Sequence, residues 1–325
     1  MRKAFLFCRF VLNGRIGENN GMLIDTHGHV NFNAFQGDNG EVLKRALEKD
    51  TWVIMPGTQY ETSKRAVEIA ESASGRGVYA AIGLHPIHIG EQRRVDVLET
   101  QSEDAGAAQP WETFETRSEE FSYAAYKNLA KSKKVVAIGE VGLDYYYFPK
   151  SKAKREQMKQ KQRDVLEQQM RLADECNLPV ILHCRVAHDD LIGILEQRIK
   201  RQEKKMRGVV HSYTGTVEQA QRFLDLGLYF GFNGLIFKNV PALPDPAKVI
   251  ASIPFERIVL ETDSPYLVPP QAGPPRQLAG GGERNEPLFV KYVAEEIARI
   301  KKLPFEEVAG VTTQNARKLF GLDGA

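Results

Sequence analysis

Residues 22–32 read MLIDTHGHVNF, an apolar run that stops at Asp25 and then presents His27 and His29 one residue apart. In an extended strand residues i and i+2 share a face, so the two imidazoles are expected side by side at the end of a buried strand. A divalent ion uses such a pair, and so does an ordinary hydrogen-bonded core. The surroundings decide between the two. Working outward, the run is the first of eight: TWVIMPG at 51–57, GVYAAIGLH at 77–85, KKVVAIGEVGLD at 133–144, LPVILHCR at 178–185, RGVVHSYTG at 207–215, LYFGFNGLI at 228–236 and RIVLETDSP at 257–265 follow. Between them lie segments with helical spacing, among them VLKRALEKD, ETSKRAVEIAESAS, RDVLEQQMRLADECN and TVEQAQRFLDLG. Near-continuous Val/Ile/Leu strands separated by helices indicate a parallel sheet covered by helices. Eight of them predict an α/β fold closed as a (β/α)8 TIM barrel, in a single domain over residues 22–325. No Gly-rich dinucleotide fingerprint follows the first strand, which argues against an open doubly wound sheet.

The bulk numbers are compatible with this. A chain of 325 residues suits one such barrel, and 44 basic against 42 acidic residues leave a net charge of +2, so composition does not announce a nucleic-acid binder. No apolar stretch approaches a membrane span. Cys8, Cys176 and Cys184 form no C-x-x-C pair and no even framework, as expected in a reducing compartment, and a cytoplasmic location is expected. The segment 1–21, MRKAFLFCRFVLNGRIGENNG, imitates a signal peptide loosely, but Arg9 interrupts its apolar run and no A-x-A-like site follows. It is read as a dispensable extension, or as the product of a start assigned upstream of Met22. The acidic stretch 98–120 reads as an insertion after strand three, and the Pro/Gly-rich stretch 268–287 as a long loop after strand eight.

Polar residues gather at strand ends: His27 and His29 after strand one, Glu140 at the end of strand four, His183 and Arg185 of strand five, His211 of strand six and Asp263 of strand eight. Such barrels place their active sites at these carboxyl ends. Each residue alone has an ordinary explanation, a turn cap for Asp263 or a satisfied core histidine for His211. Five strand ends all carrying metal-type ligands do not. Four histidines with two carboxylates can hold two divalent ions with one carboxylate bridging, an arrangement that activates a water and clamps the oxygens of a phosphoryl group. Imidazole and carboxylate suit Zn, Mn or Mg. Arg185, on the face of His183, presents a planar fork suited to phosphate. Cys184 between them is expected to turn into the core. The basic run 150–163, KSKAKREQMKQKQR, is either a solvated helix face or a guide for a nucleic-acid backbone at the rim. His88 and His188 are read as peripheral.

DTHGH, GLHP, GEVGLD, HCR, HSYTG, ETDSPYL and RNEP, in this order from Met22 to the C-terminus, resemble the TatD-family metal-dependent hydrolases of the amidohydrolase superfamily. The resemblance implies a TIM barrel with a binuclear centre and commonly Mg-dependent deoxyribonuclease activity, often 3′–5′ exonuclease. It implies that His27 and His29 hold one metal with Asp263, that Glu140 bridges, and that His183 and His211 hold the second. Asp263 would also serve as general base, and His85 and Arg185 would contact phosphate. Where the family often shows Leu-Asp after its H-x-H, this chain has Val30 and Asn31.

DNA is therefore the expected substrate, with two divalent ions as cofactors (Mg2+ for activity, Zn2+ or Mn2+ as alternatives) and no membrane or obligate protein partner. A second reading keeps the metals but turns them on a carbonyl, as in a D-aminoacyl-tRNA deacylase. A third, a barrel kept for binding alone, would predict missing ligands, and all six are present.

Overall fold

Eight parallel strands close into a barrel in the computed structural model, which describes residues 21–73, 75–90, 94–96, 113–115, 118–202, 206–272 and 283–322. In chain order they are β1 (Leu23–Asp25), β2 (Thr51–Pro56), β3 (Val78–Ile82), β4 (Val135–Asp144), β5 (Val180–Arg185), β6 (Gly208–Val210), β7 (Tyr229–Phe232) and β8 (Ile258–Leu260). Neighbours in sequence are neighbours in space, and β8 pairs with β1 through Leu260 and Asp25. The helices are α1 (Asn39–Leu47), α2 (Tyr60–Ser72), α3 (Tyr123–Leu129), α4 (Lys152–Cys176), α5 (His188–Gln202), α6 (Val217–Asp225), α7 (Pro246–Ser252), α8 (Val290–Lys301) and α9 (Phe305–Phe320).

Strand alternation separates two cores. One set of side chains, including Ile24, Ile54, Tyr79, Ala137, Ile181, Val209, Tyr229 and Val259, fills the barrel interior. The alternate set, such as Val53, Met55, Ile82, Leu182 and Phe230, packs under Ala66 of α2, Leu166 of α4, Leu195 of α5 and Phe223 of α6. The amino end is plugged by α9, whose Leu319 and Phe320 enter the interior core. Thr313 donates to the Met22 carbonyl (2.8 Å), and the Asn315 amide donates to that of Ile258 (2.8 Å). The carboxyl end is thereby left as the open one.

Local signals set the ends of the helices. The Thr216 hydroxyl accepts from Gln219 N–H while the Gln219 side chain accepts from Thr216 N–H, a reciprocal cap for α6. The longest helix, α4, ends where Asn177 adopts a left-handed φ of 53°.

The expected loop at 268–287 is partly a fixed clasp. Arg284 is buried against Asp38 (2.6 Å), and Asn285 donates to the carbonyls of Thr262, Tyr266 and Leu267 at 3.0, 2.7 and 3.2 Å. Residues 273–282 lie outside the described residues, as do 1–20, where the proposed extension falls, and most of the 98–120 insertion. At the borders of that insertion Arg94–Asp96 pairs antiparallel with Thr113–Glu115. Cys184 is buried in the outer core, as expected. Among the described residues no helix is long and apolar enough to cross a membrane.

Candidate metal centre

His27 and His29 do not sit on a strand, contrary to the sequence expectation. Regular β1 pairing stops at Asp25, and the chain bends through Thr26 to Gly28. Asp25 holds the bend: its carboxylate accepts from His27 N–H (3.1 Å), Thr262 N–H (2.9 Å) and the Thr262 hydroxyl (2.6 Å). Further bonds from Asp263 N–H to His27 O and from His29 N–H to Ser264 O, both 2.8 Å, stitch the turn after β1 to the turn after β8. A Cβ on Gly28 would lie 2.6 Å from Asp25 Oδ2, so the turn requires glycine there. Burial pushes the Asp25 carboxyl up to about 7 against these hydrogen bonds.

Glu140 is aimed by a bulge. Ile138 faces Val180 while Val141 faces Leu182, so β4 carries one residue more than β5 over this span. The buried Glu140 carboxylate is the hub. Its Oε2 lies 3.2 Å from His27 Nε2 and 3.9 Å from His29 Nε2. Its Oε1 lies 2.8 Å from His183 Nδ1, 3.3 Å from His85 Nε2 and 3.9 Å from His211 Nε2. Asp263 Oδ1 closes one side, 3.4 Å from His29 Nε2 and 3.9 Å from both His27 Nε2 and His211 Nε2. All six expected ligands therefore gather at one mouth.

Hydrogen-bond partners assign the imidazole protons. His29 Nδ1 meets the Pro56 carbonyl (3.1 Å), which can only accept, so Nδ1 carries a proton and Nε2 is the nitrogen directed inward. His211 Nδ1 likewise donates to Glu261 Oε2 (2.9 Å), which leaves Nε2 as the inward-facing nitrogen. His85 is the reverse: Nδ1 accepts from Ile87 N–H (3.0 Å), so neutral His85 directs an Nε2–H donor at Glu140 Oε1. That suits a contact to an anionic oxygen better than metal ligation. His183 lies between two carboxylates, Glu140 through Nδ1 and Asp144 through Nε2 (3.2 Å).

Asp144 and Glu261 were not singled out in the sequence. Each lies within a quoted motif, but its direction depends on the β4 bulge and the turn after β8. Three groups bring one ligand atom per residue within 4.8 Å of one another: His27–His29–Glu140, His27–His211–Glu261 and His85–Glu140–His183. The implied second set pairs His183 with His211 through Glu140 Oε1, and the structure adds Asp144 to the His183 side.

The electrostatics fit a cation. Among the described residues, Glu140, Asp144, Glu261 and Asp263 gather with no lysine or arginine bonded to them. Burial opposes charge on His183, but bonds to Asp144 and Glu140 prevail and hold it up to about 9. Burial likewise opposes charge on His211, which Glu261 and Glu140 hold up to about 10. Burial raises Asp263, yet the bond from His29 and the His211 charge bring it down to about 2. Protonated imidazoles balance the carboxylates, and a divalent ion would take over that role while displacing the protons. The buried Nδ1 of His27 and Oε1 of Glu261 have no hydrogen-bond partner among the described residues.

Arg185 ends β5 beside this hub, its guanidinium 3.8 Å over the Tyr146 ring and 5.1 Å from that of Tyr147. Val186 next to it is exposed, with a φ of 57° that β-branched residues rarely adopt. His88 and His188 stand outside the three groups. His88 is buried in the short turn Pro86–His88, and His188 opens α5 against Tyr213. Of the basic run, Arg163 pairs with Asp190 (2.6 Å) and Lys159 lies 4.9 Å over the Tyr145 ring.

Comparison with known proteins finds one family throughout. The family described as TatD related DNase matches residues 24–321. The metal-dependent hydrolase YabD of Bacillus subtilis is 36% identical over 304 residues, covering 93% of this chain and all of that protein. The 3′-5′ ssDNA/RNA exonuclease TatD of Pantoea ananatis is 32% identical over 289 residues, covering 89% and 95%. Among solved structures, the TatD homolog YjjV of Escherichia coli K12 superposes with a TM-score of 0.68 at 29% identity, covering 92% of this chain and 98% of that one.

Proposed function

The chain belongs to the TatD family of metal-dependent hydrolases, and from that premise we propose that it is a deoxyribonuclease of the 3′–5′ exonuclease type, working with two divalent ions, Mg2+ for activity. The observation that carries the proposal is Glu140, reached by His27 on one oxygen (3.2 Å) and by His183 on the other (2.8 Å), the arrangement expected of a bridging carboxylate. His27, His29 and Asp263 would hold one ion, and His183 and His211, with Asp144 at hand, the other. Bound there, the ions supply a polarised water and neutralise charge on the scissile phosphate.

The chain's own groups do the rest. Asp263, ionised throughout the physiological range, accepts the proton of the attacking water at its inward oxygen. His85 directs its Nε2–H at an anionic oxygen. Arg185, braced on Tyr146, offers two parallel N–H donors to phosphate. That fork and the exonuclease name carried by the Pantoea relative favour phosphodiesters over a carbonyl substrate such as a D-aminoacyl-tRNA.

The test is incubation of the purified full chain with end-labelled single-stranded DNA, with Mg2+ and with chelator, beside a panel of aminoacyl esters. Mg2+-dependent release of mononucleotides from the 3′ end is expected. Ester hydrolysis without cleavage of DNA would transfer the same centre to acyl chemistry.

A further inference from the structure

Arg185, the last residue of β5, stands opposite Asp144, the last residue of β4, in the barrel register. A guanidinium set beside a carboxylate ordinarily pairs with it. Here it does not. Asp144 Oδ1 accepts from Tyr146 N–H (2.9 Å), and Oδ2 lies 3.2 Å from His183 Nε2, so each oxygen already has a partner. Among the described residues the Arg185 guanidinium makes no ion pair and no hydrogen bond. What it touches is aromatic: the Tyr146 ring at 3.8 Å and the Tyr147 ring at 5.1 Å. Its N–H donors stay unspent at the rim of a carboxylate-rich mouth.

The backbone that carries Tyr146 is pinned from several sides. The buried Gln162 of α4 accepts from Asp144 N–H (3.0 Å) and donates to Asp144 O (3.0 Å). Tyr145 N–H donates to the carbonyl of Arg185 itself (2.9 Å), and the Tyr145 hydroxyl donates to Asp190 of α5 (2.9 Å). Tyr146 is 41% exposed, so filling the core does not account for where its ring lies. A face-on ring restrains a long, rotamer-rich side chain without consuming an N–H, which a carboxylate would do.

We propose that Tyr146 is a positioning residue: its ring holds the Arg185 fork at the mouth with the donors unused, while Asp144 fixes the ring through the Tyr146 backbone. Without the ring the guanidinium is at liberty to turn onto Asp144 or Glu140. The phosphate that the fork would meet rests on the nuclease reading; the stack and its anchoring do not.

The test is a double-mutant cycle on the Mg2+-loaded full chain with end-labelled single-stranded DNA, comparing Tyr146→Ala, Arg185→Ala and the two together. Tyr146→Ala should slow cleavage by roughly three- to thirtyfold, the range of one cation–π contact. Its loss should fall on the same parameter, kcat or KM, as that of Arg185→Ala. Added to Arg185→Ala, it should cost nothing further. Tyr146→Phe keeps the ring and should restore most of the rate. A second readout needs no turnover. The Arg185 Nε–H proton resonance should be shifted upfield by the ring current, stay there in Tyr146→Phe and return to the ordinary arginine range in Tyr146→Ala. Additive losses overturn the inference, as do equal losses in the Phe and Ala variants or a resonance that ignores removal of the ring. Cleavage of DNA with additive losses would refute the positioning role and leave the nuclease reading standing. Hydrolysis of aminoacyl esters alone, with a non-additive cycle on the ester and the shifted resonance, would do the opposite.

Discussion

On the proposed function, Glu140 and Arg185 would divide the work that metal and substrate demand of single residues. Replacing Glu140 by Gln keeps the shape but removes a charge and an anionic donor atom from the hub. Metal content by elemental analysis should fall below the unaltered value and turnover should be largely lost; both unchanged would make Glu140 structural. Arg185→Ala should retain metal yet cleave DNA on the order of a hundredfold more slowly, since a charge-assisted contact to the transition state is worth a few kcal/mol. Arg185→Lys should recover part of the loss, because lysine offers a point charge without the fork. Wild-type turnover in Arg185→Ala would move phosphate recognition elsewhere. Protons give a third readout at this scale. His183 and His211, held up to about 9 and about 10, carry protons at neutral pH and must lose them to present lone pairs. Metal loading in weak buffer at pH 7 should acidify the solution, and affinity should rise with pH, by about tenfold per unit for each proton released. Pipetting Mg2+ into the chelated protein with no change in pH would contradict that protonation pattern.

Among the elements, the turns after β1 and β8 form one unit, and the clasp at 284–286 holds it. Asn285 spans three carbonyls of the β8 turn, and Arg284 and Glu286 tie it to Asp38 and to Arg45 (2.8 Å). Asn285→Ala strands those buried acceptors at about 1–3 kcal/mol. Thermal unfolding should shift down by several degrees, and metal affinity should fall with it, because the same turn carries Asp263. Loss of neither would show that the stitching of Asp25 to Thr262 suffices. Much of this level was not legible in the sequence. The H-x-H pair suggested a strand face, whereas the histidines lie beyond the last β1 pairing and are aimed by a bend that Asp25 and Gly28 create. Asp144 and Glu261 escaped notice because a bulge and a tight turn decide where a carboxylate points, and alternation describes neither. The strands and helices themselves were legible, since each buries a continuous apolar stripe and sequence neighbours pair.

At the scale of the whole molecule, the barrel explains why residues from 27 to 263 meet at one mouth. Parallel strands bring all their carboxyl ends to one side, and α9 closes the other with Leu319 and Phe320. Eight apolar runs in order, five of them ending in metal-type ligands, therefore made both the fold and the candidate centre legible before any side-chain position was known. The two-ion arrangement about Glu140 is tested most directly by anomalous diffraction from crystals of the full chain equilibrated with Mn2+. Two peaks are expected, one beside His27 and His29 and one beside His183, with the Glu140 carboxylate between them. A single peak, or two with neither in contact with Glu140, would contradict the bridging role and the phosphodiesterase mechanism built on it.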